Sequence, residues 1–361
     1  MQTLAELRAE LDTVDEKLIS VIARRQALVA EIGRIKRANG RQLRDFKRER
    51  EVIEHIRAAA EGNALSPDLA ENLMRTLIDA SLATQEQQGL LAHAAGDGLR
   101  ALVIGGNGRM GRWFSGFLDQ QGFKVDVQDP SGTPAAFSNW QGAPDDAHDL
   151  IVVAAPLGAS NGVLKALSEQ RPCGVVLEIA SIKEPLKGGI EALRAAGVDI
   201  ASLHPLFGPS TNLLAGKHVI LCDLGSDRAN ALARSLFTPT LATLSEVPLD
   251  EHDRLMAWIL ALSHLSNLAF AQAINGSGVA AETLKRCASS TFERQTRIAA
   301  DVVQESAELY FEIQQFNPHN ASARAALSSA LAAYGQAIDQ NDAAAFTALM
   351  VGSRAYLEAL A

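Results

Sequence analysis

The feature that most constrains this chain is an apolar stripe along its first residues. Between Leu4 and Ile35, leucine, isoleucine and valine recur at alternating spacings of three and four, in a run without proline. This periodicity predicts one helix over residues 3–38, about 54 Å long. A helix of that length needs a partner along its whole seam. Arg25 breaks the stripe, because it stands where the spacing calls for an apolar residue.

Two further helices are predicted over residues 45–62 and 67–87, followed by a linker over 88–98. Charged and polar side chains, most of them suited to an anion, recur on the three predicted helices: Arg25, Lys36, Arg48, Glu49, Ser81 and Gln85. Arg25 and Lys36 are 11 residues apart, which returns them to within about 20° of one helix face. One interpretation is a solvated basic face with a single snorkelling arginine. The other is a dianionic ligand, since a buried unpaired arginine costs about 3–5 kcal/mol and no acid at matching spacing clearly pairs with Arg25.

The segments "ELRAELDTVDEKLISVIARRQALVAEIGRIK", "RE" within "KRERE", and "SLATQ" carry a resemblance. They resemble the all-helical chorismate mutase family, over residues 1–90. The resemblance implies an intertwined dimer that converts chorismate to prephenate. An intertwined dimer also suits Arg8, because this residue lies too far along the helix from Arg25 to contact the same small ligand within one chain. The substrate-binding positions that it implies are Arg8 (from the partner chain), Arg25, Lys36, Arg48, Glu49, Ser81 and Gln85. Lys47 departs from the family, which more often has an acid there.

The pattern of apolar residues changes at Leu99. Short β-rich runs alternate with helical ones as far as about residue 248, which predicts a parallel sheet with helices on both faces. From Leu249 the chain is rich in alanine and leucine and is predicted to be helical. The predicted fold class is therefore multidomain: an all-α domain over 1–90, an α/β Rossmann domain over 99–248, and an all-α dimerisation domain over 249–361.

A glycine-rich stretch, "LRALVIGGNGRMGRWF", lies between the first predicted strand and a helix. Glycines there let the backbone approach a pyrophosphate, and the helix N-terminus favours its charge. An acid at the end of the next strand suits the ribose hydroxyls of NAD, whereas Arg109 alone hints at NADP. We therefore predict NAD binding, with a nucleotide-free α/β domain as the alternative. The predicted cofactor-binding residues are Gly106, Gly108, Arg109, Met110, Gly111 and Asp129.

Two stretches after later strands carry candidate catalytic groups. "EIASIKEP" offers Ser181 and Lys183, and "LHPLFGPS" offers His204 in a loop bounded by proline and glycine. Together with the glycine-rich stretch they resemble the prephenate dehydrogenase family, over roughly residues 99–350. The resemblance implies that His204 accepts a hydrogen bond from the ring hydroxyl of prephenate, with Ser181 supporting it. NAD takes the hydride, and the ring carboxylate is lost as CO₂.

Two more histidines lie in "EHDRLMAWILALSHLSNLA", which is similar to a helical segment of the same family. His264 is expected to face the active site, whereas His252 is expected to pack between helices. A substrate-binding arginine of the family falls on Asp301 here, and Arg297, one turn earlier, is the expected substitute, with Arg294 near it. An acid would suit an ammonium group, so arogenate or 4-amino-4-deoxyprephenate is an alternative substrate.

The two resemblances together imply the bifunctional chorismate mutase/prephenate dehydrogenase family, a homodimer, and tyrosine as a candidate feedback inhibitor. A net charge of -9 argues against a nucleic-acid partner. Three cysteines without a CxxC pair argue against disulfides and a structural metal site. The absence of a signal core or long apolar run predicts a cytoplasmic protein with no membrane partner. The alternative in another class is an NAD-sensing protein on a helical dimerisation scaffold.

Overall fold

The structure is a computed structural model that describes residues 3–39, 45–92, 95–131, 138–139 and 148–360. The chain forms two compact units. The sheet unit comprises Met1–Ala155, Ala166–Ile179 and Leu193–Glu246. The helical unit comprises Pro156–Lys165, Ala180–Ala192 and Val247–Ala361.

Three helices begin the sheet unit: α1 (Leu4–Ala38), α2 (Phe46–Gly62) and α3 (Pro67–Ala92). All three predicted helices are confirmed. However, α3 continues to Ala92, so the predicted linker was wrong over residues 88–92. The reason is tertiary packing, because Leu90 is buried in the core that the strands form.

The sheet has eight strands in the order β3-β2-β1-β4-β5-β6-β7-β8. In chain order they are β1 (Arg100–Ile104), β2 (Lys124–Gln128), β3 (Ser138–Asn139), β4 (Leu150–Val153), β5 (Val175–Glu178), β6 (Ile200–Pro205), β7 (His218–Cys222) and β8 (Thr243–Glu246). Strands pair in parallel except β6 and β7, which are antiparallel. The predicted parallel sheet is therefore confirmed, apart from this one pairing. Strands β1, β4 and β5 consist of buried apolar side chains over most of their length, as expected of central strands covered on both faces.

Helices accompany the strands in the usual alternation of an α/β domain. They are α4 (Arg109–Gln120), α5 (Leu157–Gln170), a 3₁₀ turn (Glu184–Leu186), α6 (Lys187–Ala195) and α7 (Asp227–Phe237). Ser226 caps α7 by accepting a hydrogen bond from the backbone N–H of Ala229. This alternation confirms the predicted α/β class of the middle domain.

The last third of the chain is helical, as predicted. It contains α8 (Leu249–Met256), a π-helical turn (Ala257–Leu262), α9 (Ser263–Asn275), α10 (Ala281–Arg286), α11 (Ser290–Val303), α12 (Ala307–Phe316), α13 (Asn320–Asp339) and α14 (Ala343–Leu360). Among the described residues, one continuous helical stretch, Leu249–Asn275, is long and apolar enough to cross a membrane. A single stretch of this kind is weak support for a membrane span, because soluble proteins contain such helices too.

Candidate active site

Arg25, the residue that interrupts the apolar stripe, points from α1 toward α3. Its Nη1 donates hydrogen bonds to the carbonyl oxygen of Leu77 and to Oγ of Ser81, both at 3.2 Å. The side chain is half-buried, and this burial lowers the pKa of the guanidinium. Both acceptors are neutral, so within the described residues the charge of Arg25 has no carboxylate partner. Such a cation is available to an anionic ligand.

Gln26 fixes the hydroxyl group beside Arg25. Its Nε2 donates to the carbonyl oxygen of Leu77 at 3.1 Å, and its Oε1 lies within hydrogen-bond distance of Ser81 Oγ. Ser81 Oγ also lies 2.7 Å from that same carbonyl. Arg25, Gln26 and Ser81 therefore form one hydrogen-bonded cluster. Sequence reasoning missed Gln26, because it is adjacent to a charged residue and carries no periodic signal of its own.

Gln85 lies one turn along α3 from Ser81, as its spacing predicted. Its Nε2 donates to the carbonyl oxygen of Val29 at 3.0 Å. A Cβ atom at Gly33 would lie only 2.9 Å from Cγ of Gln85, so the glycine makes room for this amide. Sequence reasoning missed Gly33 too, although a glycine inside a long helix costs about 0.5–1 kcal/mol relative to alanine and was a usable signal.

The other predicted substrate-binding groups lie around these helices. Arg48 is exposed in the first turn of α2 and pairs with Glu51 at 3.1 Å. Glu49 and Lys36 are half-buried, whereas Arg8 is exposed on α1. The structure therefore brings Arg25, Ser81 and Gln85 to the facing sides of α1 and α3. The roles of Arg8, Lys36, Arg48 and Glu49 stay predictions.

The glycine-rich turn joins β1 to α4. Gly105 adopts φ +80°, a left-handed conformation that favours glycine. A Cβ at Gly111 would lie 2.1 Å from the carbonyl oxygen of Gly105, and one at Gly106 would lie 2.5 Å from a methyl group of Val127. A side chain at either glycine would therefore collide with the turn. Glycines are expected at such positions where the backbone approaches a pyrophosphate. The sequence analysis missed Gly105, for which the adjacent glycine pair was the signal.

Asp129 follows β2 and faces this turn. Its Oδ2 accepts a hydrogen bond from the backbone N–H of Asn107 at 3.0 Å. Its Oδ1 accepts from the backbone N–H and the hydroxyl of Ser131, at 2.8 and 2.6 Å. Burial opposes the charged form, but the hydrogen bonds from Ser131 and Asn107 outweigh it and lower the pKa of Asp129. An ionised acid is thus held beside the turn, where it suits the ribose hydroxyls of NAD.

His204 is the penultimate residue of β6, where it pairs with Ile220 of β7. Its expected position in a loop was wrong, because the antiparallel pairing extends the strand through Pro205. The side chain is buried at 4% exposure. Since β1 and β6 run in the same direction, His204 lies toward the edge of the sheet that carries the glycine-rich turn. Ligands of α/β proteins bind at this edge.

In the helical unit, Asp253 organises the segment that contains Lys183. Its carboxylate accepts hydrogen bonds from the backbone N–H groups of Lys183 and Glu184, the shortest at 2.9 and 2.7 Å. His252 is fully buried, and its Nδ1 lies 2.7 Å from Asp253, as expected of a helix-packing histidine. Burial opposes the charge on Asp253, but the hydrogen bonds from His252 and the two backbone groups lower its pKa. Ser181, half-buried in the same segment, stays a predicted substrate contact.

His264 is half-buried and stacks on Tyr310, with ring centroids 4.2 Å apart. Burial lowers the pKa of His264, and the nearby charge of Glu305 only partly opposes this shift. The imidazole is therefore neutral near neutral pH. Its Nδ1 is buried and has no hydrogen-bond partner among the described residues. Its predicted role facing a substrate is untested.

Helix α11 carries the residues at the expected substrate-binding arginine position. Arg294, Arg297 and Asp301 are all exposed on this helix. Across the part of the chain that the structure describes, none of the three has an ion-pair partner. Arg297 stays the predicted substitute for the family's arginine. The same described ranges contain no cluster of three or more histidine, cysteine or acidic side chains that could hold a metal ion.

Comparisons with known proteins match separate parts of the chain to separate enzyme domains. The type II chorismate mutase family matches residues 7–86. The nucleotide-binding domain of prephenate dehydrogenase matches residues 124–243, and its dimerization domain matches residues 248–351. The chain belongs to the bifunctional chorismate mutase/prephenate dehydrogenase family. The two dehydrogenase matches follow the mutase match along the chain.

Individual relatives match either almost the whole chain or about three quarters of it. A T-protein of Enterobacter agglomerans is 27% identical over 350 residues, which cover 96% of this chain and 90% of the relative. A 4-amino-4-deoxyprephenate dehydrogenase of Streptomyces pristinaespiralis is 29% identical over 72% of this chain and 91% of its own length. A crystal structure of Aquifex aeolicus prephenate dehydrogenase, in complex with hydroxyphenyl propionate and NAD+, has a TM-score of 0.58 at 17% identity and covers 73% of this chain and 98% of that one. This last likeness concerns the fold.

Proposed function

We propose that this chain rearranges chorismate to prephenate on helices α1–α3 and then oxidises prephenate with NAD to 4-hydroxyphenylpyruvate and CO₂. We divide the work among residues 1–90, 99–248 and 249–361, which we assign to mutase, nucleotide binding, and dimerisation with substrate binding. One observation carries the proposal. The sheet unit contains both a guanidinium held by neutral oxygens, on Arg25, and a glycine-rich turn beside an ionised acid, on Asp129.

The mutase half needs no nucleophile, because chorismate rearranges by a pericyclic shift within one molecule. Catalysis then consists of holding a compact conformer and stabilising the charge that develops on the breaking ether oxygen. Arg25 supplies a fixed positive charge whose direction is set by Ser81 and Leu77. Gln85 supplies an amide held by Val29. Arg8, Lys36, Arg48 and Glu49 complete the proposed set of substrate contacts.

The dehydrogenase half uses NAD, whose nicotinamide accepts a hydride when the cofactor is bound. Gly106, Gly108 and Gly111 leave the backbone uncovered for the pyrophosphate, and Arg109 and Met110 open the helix behind it. Asp129 takes the ribose hydroxyls. His204 accepts the proton of the ring hydroxyl, which assists departure of the hydride from ring C4, and the ring carboxylate is lost as CO₂. Ser181 and His264 are proposed as further substrate contacts.

Prephenate is the substrate that the bifunctional family favours. Asp301 is the residue in this chain that an amino-bearing analogue would exploit, because a carboxylate attracts ammonium and repels a second carboxylate. Arg297 on the same helix has the charge that prephenate requires. We therefore assign the binding of the substrate carboxylate to Arg297.

A second copy of this chain is the proposed partner of α1. The apolar residues of its stripe are 47–65% exposed, an unusual extent for one face of a soluble helix. Covering that face with the same helix of another chain would bury it, and would let Arg8 of one copy approach Arg25 of the other. We propose a cytoplasmic homodimer on this basis and on composition.

The experiment follows both reactions in one preparation. Chorismate loss is measured by its ultraviolet absorbance, and NADH formation is measured with prephenate supplied. The proposal requires chorismate loss without cofactor and NADH formation only when NAD and prephenate are both present. Prephenate, arogenate and 4-amino-4-deoxyprephenate are then compared with NAD and with NADP. Binding of NAD without turnover of any of these compounds would support the NAD-sensing alternative instead.

A further inference from the structure

Glu86 is a buried acid on α3, immediately after Gln85, that the two proposed reactions leave without a role. It is 4% exposed. Its Oε2 accepts a hydrogen bond from the backbone N–H of Leu214 at 2.7 Å, and its Oε1 accepts one from the backbone N–H of Leu241 at 2.8 Å. One carboxylate therefore accepts hydrogen bonds from two separate segments of the nucleotide-binding domain. A glutamine could accept only one of these bonds, because its amide nitrogen is a donor.

The two donors lie just before neighbouring strands. Leu214 is in the connection 206–217 between β6 and β7, and Leu241 lies between α7 and β8. Strands β7 and β8 are parallel to each other, and β7 is antiparallel to β6. Their amino ends therefore lie at the same edge of the sheet as the carboxyl end of β6. His204 is next to the last residue of β6, so Glu86 binds the edge of the sheet where His204 lies.

The connection 206–217 is also held by contacts with helix α4. Nε1 of Trp113, on α4, donates to the carbonyl oxygen of Thr211 at 2.8 Å. The ring of Phe207 packs on Trp113, with centroids 5.0 Å apart. The segment that follows His204 is thus held on one side by the helix of the glycine-rich turn, and on the other by the mutase helix α3.

Helix α3 has little freedom to move relative to this edge. A Cβ atom at Gly89 would lie 2.7 Å from the carbonyl oxygen of Pro239, so the helix backbone packs directly on the segment before Leu241. Leu90 is buried in the core of the sheet. Glu86 therefore lies on a helix that is held in place by packing, and its two hydrogen bonds fix the position of the connection 206–217.

We propose that Glu86 is a positioning residue of the dehydrogenase reaction, supplied by the mutase helix. It holds the connection 206–217 and thereby the end of β6 that carries His204. This inference rests on the proposed dehydrogenase function. Its consequence is that the dehydrogenase of this chain depends on α3 for the geometry of its own site.

The test is Glu86→Gln in the full chain, with Asp79→Asn as the matched control, an exposed acid on the same helix. For each variant, kcat and KM are measured for prephenate, for NAD and for chorismate, together with the thermal unfolding midpoint. We expect Glu86→Gln to lower dehydrogenase kcat/KM for prephenate about tenfold, since one charge-assisted bond is lost. The KM for NAD and the mutase kcat/KM should stay within twofold of the native values. Asp79→Asn should change none of these quantities.

A second variant tests the other contact that holds the connection 206–217, and it remains informative even if Glu86→Gln does not fold. Trp113→Phe removes the hydrogen bond to Thr211 and keeps an aromatic ring, and it should also lower the dehydrogenase rate and spare the mutase. Unchanged prephenate kinetics in both variants would overturn the inference, as would an equal fall of both activities that tracks the folded fraction. A native chain that turns over chorismate but reduces no NAD with prephenate would instead contradict the proposed dehydrogenase, and this inference with it.

Discussion

Helix α1 and the central strands are both apolar, yet they differ in what covers them. Leu18 in the stripe of α1 is 47% exposed, whereas Leu102 in β1 is fully buried. Apolar burial stabilises by about 25 cal/mol per Å², so the strands are stabilised within one chain and the stripe of α1 is not. The comparison teaches that two sites in the same compact unit can differ in what completes them. Our proposal is that the nucleotide site is complete within one chain, whereas the mutase site needs a second copy.

The two sites also differ in the groups that they use. The mutase cluster consists of side chains on regular helices, such as Arg25 and Ser81. The nucleotide turn depends on missing side chains, as at Gly111, and on one acid. Removing a side chain should therefore damage the first site, and adding one should damage the second. The following variants test this contrast.

The largest effect is expected for Arg25→Ala. Loss of one positioned electrostatic group lowers catalysis by about 10²–10³, and Arg25 is the central cation of its cluster. Chorismate turnover should fall by that factor, whereas NADH formation from supplied prephenate should not change. Arg24→Ala, an exposed neighbour on α1, is the control and should spare both reactions. A parallel fall of both activities in Arg25→Ala would mean that Arg25 stabilises the fold.

Gly111→Ala should have the opposite profile. Its Cβ would lie 2.1 Å from the carbonyl oxygen of Gly105, so the turn must shift. We expect the Kd for NAD, measured by titration calorimetry, to rise about tenfold or more, with mutase turnover intact. The control is Gly116→Ala on the same helix, where an added Cβ meets nothing within 4 Å. Equal NAD affinity of Gly111→Ala and the native chain would exclude this turn as the cofactor site.

A smaller effect is expected for Asp129→Ala. Loss of a charge-assisted contact to the ribose costs about 1–3 kcal/mol, and the repulsion of a 2′-phosphate disappears with it. The ratio of kcat/KM for NAD over NADP should therefore narrow by roughly tenfold. Asp119→Asn, an exposed acid on α4, should leave the ratio as it is. A ratio that Asp129→Ala does not move would place the ribose contact on another residue.

The last pair of variants concerns Arg297 and Asp301. With prephenate, Arg297→Ala should raise KM and leave NAD binding unchanged, because uniform substrate binding is lost. Asp301→Asn should be neutral or favourable for prephenate, and should weaken an amino-bearing substrate by about 1–3 kcal/mol. Steady-state kinetics with both substrate types separate the two cases, with Arg294→Ala as the control. Indifference of every combination would mean that neither residue faces the substrate.

Periodicity predicted the elements with strong patterns, which include α1 to α3 and the alternation of strands and helices after Leu99. It missed β8, whose residues "TLSE" are mostly polar, and β3, which has two residues. It also ended α3 too early, since "QQGLL" has the composition of a linker and only packing against the sheet keeps it helical.

The site residues divide in the same way. Arg25 and Ser81 could be identified as candidates from the sequence, because both occupy regular positions on predicted helices, and the structure joins them by a hydrogen bond. Glu86 could not be identified in this way, since its partners are backbone N–H groups more than a hundred residues away. Any residue has such a donor, so no sequence pattern marks it. The same holds for Asp253, which binds the backbone of Lys183 and Glu184.

The most direct test of the central contrast is a mixing experiment with Arg8→Ala and Arg25→Ala chains. Each variant alone should have little mutase activity. After chain exchange at equal amounts, half of the dimers are hybrids with one intact composite site, so about a quarter of the native mutase activity should return. NADH formation from supplied prephenate should stay at the native level before and after mixing, because the nucleotide site is complete within each chain. No recovery of mutase activity, although hybrid dimers are demonstrated by tagged chains, would contradict a site shared between two copies.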